Sequence, residues 1–228
     1  SLYYNSENAS LMPALINTVI MTLLSLLLAV PIGIFSAIFL AEYAGKGNKF
    51  VDIIRLTTET LSGIPSIVYG LFGMLFFVST CHWGFSLLAG AFTLAIMILP
   101  LIMRTTEEAL LSVPDSYREG SFGLGAGKLR TVFYIVLPSA VPGILAGVIL
   151  AIGRIVGETA ALIYTAGSVA QVPSSVLGSG RTLAVHMYLL ASEGLYMDQA
   201  YATAVILLVL VVVINTLSGM VAKKLTKV

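Results

Sequence analysis

The chain has 228 residues, 58% of them hydrophobic and only 10% charged, with a net charge of +1 and a mean hydropathy of +0.99. A soluble domain carries about 25% charged residues, so this composition excludes a soluble globular protein, and the balanced charge excludes a basic face for nucleic acid. The single cysteine, Cys81, excludes an internal disulfide or a thiolate metal cluster, and His82 and His186 stand apart from other ligand-forming residues, so no metal site is expected.

Four tracts nearly free of charge run through the chain: Leu11 to Ala41, Thr60 to Met103, Thr131 to Gly153 and Gln199 to Ala222. About 20 apolar residues cross a bilayer as a helix, and the second tract is long enough for two crossings divided by the turn Cys81-His82-Trp83-Gly84. Five spans follow, at about 13–41, 62–80, 85–103, 139–164 and 199–222, making residues 1–228 a single all-α transmembrane domain. The first tract is too long for a cleaved signal peptide and lacks a basic segment before it.

Loop charges set the orientation. With segment 42–59 inside the cell, 81–84 is outside, 104–138 inside, 165–198 outside and the C-terminus inside. Ten of the twelve cations then lie inside: Lys46, Lys49, Arg55, Arg104, Arg118, Lys128, Arg130, Lys223, Lys224 and Lys227. Arg181 alone is outside, and Arg154 is in a span. This orientation puts residue 1 outside, which fits one further helix before it.

Of the first loop, Arg55 and Glu59, four apart, read as a solvated pair. Tyr69, Phe72, Phe76 and Phe77 read as apolar bulk, and Arg104 as an anchor reaching from the end of a span to the interface. The inner loop 104–138 is more patterned than charge bias requires. Pro114 and Asp115 start a helix, and Gly123, Gly125 and Gly127 end it, after which Thr131 to Leu137 returns to the membrane and stops at Pro138. A surface-lying linker and a docking element for a soluble partner both fit that pattern.

The same loop contains Glu119, Gly120, Ser121, three residues, Gly125, nine residues, then Ile135-Val136-Leu137-Pro138. This resembles the cytoplasmic loop motif of bacterial ABC importer permeases, which is Glu, two small residues, three variable, Gly, nine variable and Ile-x-Leu-Pro. The resemblance implies that Glu119, Gly120, Ser121, Gly125, Ile135, Leu137 and Pro138 form a coupling helix and its frame, seated in a groove on an ATPase subunit. Small residues permit close docking, and Gly125 permits a sharp turn. Pro114-Asp115-Ser116-Tyr117-Arg118-Glu119-Gly120-Ser121 and Gly153-Arg154-Ile155-Val156-Gly157-Glu158-Thr159-Ala160-Ala161 are similar to the phosphate-specific branch. That kinship implies a type I importer in a bacterial cytoplasmic membrane, with a second permease in a heterodimer, two ATPases and a periplasmic phosphate-binding protein. It also implies six spans where five are seen, hence a missing N-terminal helix.

Arg154 and Glu158 lie in the fourth expected span. At 1.5 Å per residue Arg154 stands roughly 22 Å from its inner end, within a core about 30 Å thick. Four apart, the two would share a helix face with Gly143, Gly147 and Leu150, and the spacings Gly143-x-x-x-Gly147 and Gly153-x-x-x-Gly157 permit close helix contact. Two readings fit: a neutralising pair that locks helices, or an arginine that attracts an anion with the glutamate orienting it. Segment 165–198, with its serines, glycines and Arg181, is either an ordinary outer loop or the lining of an anion entrance.

No cofactor is expected in this chain. Gly127-Lys128 lacks the rest of a nucleotide-cradling loop, so ATP would be bound by a partner, and protease and esterase signatures are missing. The function expected is phosphate import by alternating access. The rivals are a permease for sulfate or molybdate, and a passive anion channel or structural membrane subunit.

Overall fold

A computed structural model describes residues 10–44, 48–194 and 196–226, with side chains omitted at 218 and 221–226. Lys46 and Lys227, counted above as inside, and residue 1, placed outside, lie beyond the described residues. The described residues form helices and loops with no strand: α1 Met12–Ile38, α2 Lys49–Ser62, α3 Ser66–Gly73, α4 Leu87–Leu111, α5 Asp115–Gly123, α6 Lys128–Thr131, α7 Leu137–Val156, α8 Ala160–Ile163, α9 Leu183–Glu193 and α10 Met197–Thr226. Three stretches wind more loosely as π-helix: Phe39–Tyr43 extends α1, Met74–Thr80 extends α3, and Val132–Val136 joins α6 to α7.

Four helices are long and apolar enough to cross a membrane: Met12–Tyr43, Leu87–Leu111, Lys128–Val156 and Met197–Leu217. Lys49–Ser62 and Ser66–Thr80, bent by 102° between them, make a fifth when counted together as one broken span. The chain is thus a multi-pass, all-helical membrane protein. α4 lies at the centre, packed on α1, α7 and α3, and its Leu94, Met97, Ile98 and Ile102 are fully buried. α1 and α4 run parallel, so that Gly33 meets Ile102 and Met21 meets Gly90. α7 runs antiparallel to α4, its Gly143 against Ala109 and Gly147 against Thr105, where a Cβ would collide. Leu23, Leu27 and Phe35 of α1 and Val205, Leu208 and Val212 of α10 present apolar surface outward, as lipid or a partner helix requires.

Prolines account for two departures from the expected spans. Residues 62–80 do not form one straight helix. Pro65 has no N–H to give the Leu61 carbonyl, and the chain turns there; the Tyr69 hydroxyl donates to that carbonyl instead, at 2.7 Å. Tyr69 is core bulk, as expected, and its hydroxyl also braces the bend. Conversely, the return to the membrane does not stop at Pro138. Helix runs from Lys128 through Val156, because the winding widens just before the proline and Ser139 Oγ donates to the Ile135 carbonyl at 2.7 Å. The fourth crossing thus begins about ten residues earlier than 139 and ends before 164.

The outer segment is folded into the protein. Carbonyls of Thr165, Gly178 and Val176 accept from the N–H groups of Ser86, Leu87 and Leu88, satisfying the start of α4, while Ser86 Oγ accepts from Ala89 N–H. Asn17 Nδ2 donates to the Gln171 and Arg181 carbonyls at 2.9 and 3.2 Å, and Leu183 N–H donates to Thr18 Oγ1 at 2.8 Å. These bonds tie the start of α1 to the loop.

Candidate functional site: an arginine-lined cavity and a cytosol-side helix

The charged residues gather at one cavity of about 370 Å³ between α2, α4 and α7. Arg55, Arg104 and Arg154 line it together with Glu59, Glu107 and Glu108, and Leu40, Pro100, Leu101 and Met103 supply apolar wall. Arg55 Nη2 donates to Glu107 Oε1 at 2.6 Å, joining α2 to α4, with the Glu107 side chain only 16% exposed. Glu59 is not the partner of Arg55, because the bend at Pro65 swings α2 against α4 and brings Glu107 within reach. Arg104 pairs with Glu108 at 3.0 Å within α4. Its side chain is 68% exposed, which fits the expected anchor, and it also lines the cavity.

Arg154 and Glu158 are separated by the end of α7. That helix stops at Val156 with Gly157 as its cap, so the two side chains do not share a helix face. Glu158 is buried and Oε1 accepts from Ala161 N–H at 3.1 Å, capping the short helix α8. Arg154 is half-buried in the cavity wall, and among the described residues no ion pair joins it to any carboxylate. The neutralising pair is therefore not formed. Of the two expected glycine spacings, Gly143 and Gly147 make the close contact and Gly153 and Gly157 meet no neighbouring helix. The close approach near α8 belongs to Gly70, where a Cβ would fall on the Ala161 backbone.

Arg181 does not join this site. It is 7% exposed, its N–H donates to the Val169 carbonyl at 2.9 Å, and it lies in the packed outer segment away from the cavity lining. Ser179 of that segment is turned inward, its Oγ donating to the Ala166 carbonyl at 2.8 Å, while Ser168, Ser174 and Ser175 are exposed.

Beyond the end of α4, α5 carries Glu119, Gly120 and Ser121 and has no buried residue. Tyr117, Phe122 and Leu124 are exposed, Leu124 at 92%, which is costly in water unless a partner covers them. Gly125 turns with φ +85°, and a Cβ on Gly120, Gly123 or Gly125 would meet nothing, leaving this surface open to close approach. Ile135 and Pro138 are exposed beside it, Leu137 is half-buried, and the Ser121 and Thr131 hydroxyls lie 2.8 Å apart, joining α5 to α6. The residues named from the loop pattern thus sit around one exposed helix and its return.

A family model described as binding-protein-dependent transport system inner membrane component matches residues 29–227. The chain belongs to that family. Among proteins similar to it, the probable ABC transporter permease protein YqgI of Bacillus subtilis is 37% identical over 232 residues, 93% of this chain and 79% of that one. The phosphate transport system permease protein PstA 1 of Mycobacterium tuberculosis is 35% identical over 211 residues, 91% of this chain and 69% of that one. PstA of Haemophilus influenzae is 40% identical over 161 residues, 71% of this chain and 56% of that one. The chain therefore spans between 56% and 79% of the length of these relatives. Two solved structures share the fold. One is the inward-facing MetNI methionine ABC transporter, at TM-score 0.72 and 20% identity over 94% of this chain and 93% of that one. The other is a bacterial alginate ABC transporter, at 0.73 and 16% over 95% of this chain and 80% of that one.

Residue patterns missed one part of this permease. Sequence gives Arg118 as an inside cation within the loop motif, but not as the partner of Glu42, which its guanidinium reaches from 76 positions away. The hydrogen bond to Glu42 holds the Arg118 pKa above its ordinary value, against the opposing effect of burial. The available signal was Glu42 itself, an acid closing a tract of some thirty uncharged residues, but nothing in the sequence names its partner.

Proposed function

We propose that this chain is a permease subunit of an ATP-driven importer of inorganic phosphate in a bacterial cytoplasmic membrane. Arg154 carries the proposal. It lines a cavity between α2, α4 and α7 and makes no ion pair among the described residues, and a planar fork of donors suits a phosphate oxyanion. The relatives named as phosphate transport permeases support the choice of anion. Around Arg154 the lining balances three arginines with three glutamates, so an anion meets cations without being trapped by a large net charge. Glu158 holds α8, and through it the chain just beyond Arg154. Arg181 helps shape the outer segment.

The exposed α5 is the coupling element, with Glu119, Gly120, Ser121 and Gly125 against an ATPase subunit and Ile135, Leu137 and Pro138 framing the return. Two such subunits bind and hydrolyse ATP; this chain needs no cofactor of its own and makes no covalent chemistry. A second permease completes the path, forming a heterodimer, and a soluble phosphate-binding protein delivers substrate from outside. The path opens alternately to each side as the ATPases close and part.

Uptake into proteoliposomes holding the whole complex tests this. Labelled phosphate should accumulate only with ATP and binding protein, and excess sulfate or molybdate should leave uptake nearly unchanged. Equal competition by those oxyanions would replace the substrate. Flux without ATP would replace the machine with a passive channel.

A further inference from the structure

Two cations of the cytosol-side loop reach back to adjacent residues at the end of α1. Arg118 of α5 donates from Nη2 to Glu42 Oε1 at 2.6 Å and from Nε to both Glu42 oxygens at 3.3 Å. The same guanidinium donates to the Leu110 carbonyl at 2.9 Å and the Val113 carbonyl at 2.8 Å, where α4 ends, and to Asp115 Oδ1 at 3.2 Å. Both side chains are largely sealed from solvent, Arg118 at 15% and Glu42 at 7% exposure. From α6, Lys128 Nζ stands 5.1 Å from the centre of the Tyr43 ring.

No residue of α5 is buried, so apolar packing does not fix this helix against the spans. Its attachment is the Arg118 fork, the adjoining turns, its packing on Val132–Val136 and the Ser121–Thr131 contact with α6. Glu42 and Tyr43 lie in the π-wound stretch Phe39–Tyr43, a winding that is less stable than α-helix and can shift register locally. α1 and α4 are also the most extensively packed helix pair. A displacement of α5 therefore reaches the end of α1 through one guanidinium, which also grips the end of α4.

We propose that Arg118 is a positioning residue of transport, clamping α5 to Glu42 and to the end of α4 so that the three move as one body when the coupling helix is driven. This rests on the reading that α5 docks on the ATPase. The clamp stays closed through the cycle; it is a rigid joint and not a gate.

The test uses the complete transporter in proteoliposomes, with ATP hydrolysis and phosphate uptake measured side by side. Arg118→Gln and Glu42→Gln should each leave an assembled complex that hydrolyses ATP, while phosphate moved per ATP falls by about tenfold, as loss of a coupling contact predicts. In a Cys81→Ser background, the double variant Glu42→Cys/Arg118→Cys should show the same loss, and a short bifunctional methanethiosulfonate joining the two new thiols should restore uptake per ATP. Unchanged uptake per ATP in Arg118→Gln overturns the proposal. So does inhibition rather than rescue by the bridge, which would make the contact one that must open. Failure of the Arg118→Gln complex to assemble also overturns it, since the contact would then serve folding. Wild-type uptake that needs no ATP would instead remove the docking reading on which the proposal rests.

Discussion

Arg154 stands in a cavity wall and makes no ion pair among the described residues, whereas Arg55 and Arg104, lining the same space, each hold one. That contrast supports the proposal that the anion meets Arg154 while the other two arginines support the site. Losing a charge-assisted hydrogen bond costs about 1.5–3 kcal/mol. Arg154→Ala should therefore lower phosphate uptake by about tenfold or more, while the complex still assembles and hydrolyses ATP; normal uptake would remove Arg154 from the path. Glu158 is separable from it. Glu158→Gln keeps an oxygen for Ala161 N–H, so thermal stability and uptake should stay near wild type. Glu158→Leu loses that cap and should destabilise the permease by about 1 kcal/mol, read as a lower melting temperature in detergent. A large transport loss in Glu158→Gln with unchanged stability would show that the charge itself is used.

At the scale of elements, the hydrophobic tracts located the crossings because a bilayer asks for length and apolarity, and both are visible in sequence. Their ends were not visible, because prolines act through their surroundings. Pro65 bends the chain while Tyr69, four residues on, satisfies the exposed carbonyl; Pro138 is absorbed by looser winding. The exposed helix α5 was legible from Pro114, Asp115 and the glycines behind it. The end of α7 at Val156 was not, and it undid the expected shared face of Arg154 and Glu158. The ion pairs Arg55–Glu107 and Arg118–Glu42 link residues 52 and 76 apart, which only the packing of α2, α4 and α1 brings together. Gly70 illustrates the same limit, since nothing nearby in sequence marks it as the point where α3 meets the α8 backbone. A Cβ there would stand 2.8 Å from Ala161 Cα, and backbone cannot swing aside. Gly70→Ala should cost about 1–3 kcal/mol of stability, seen as a lower melting temperature. Gly120→Ala, in open space, should leave the melting temperature of the isolated permease unchanged.

For the whole molecule, the arrangement of charge is the organising fact. Arg55, Glu107, Arg118, Glu42 and Lys128 all lie towards the end of the bundle where α1 and α4 finish, and the opposite end is closed by the turn at 81–84 and the packed segment 165–182. The positive-inside bias predicts that this end faces the cytosol, because translocating lysine and arginine across the membrane is disfavoured. Two thiols can read this out. Cys81 is native, partly exposed, and sits at the end opposite α5. Leu124, the most exposed large apolar side chain in the described residues, lies just past α5 and tolerates replacement because it packs on nothing. Leu124→Cys in cells lacking the ATPase subunits should be untouched by a membrane-impermeant maleimide applied to intact cells and modified once the membrane is opened, while Cys81 should react from outside. Restoring the ATPase should slow the reaction at position 124 even in opened membranes, because the docked subunit covers it. Labelling of position 124 from outside would invert the topology, and with α5 facing away from the cytosol no ATP-driven partner could reach it.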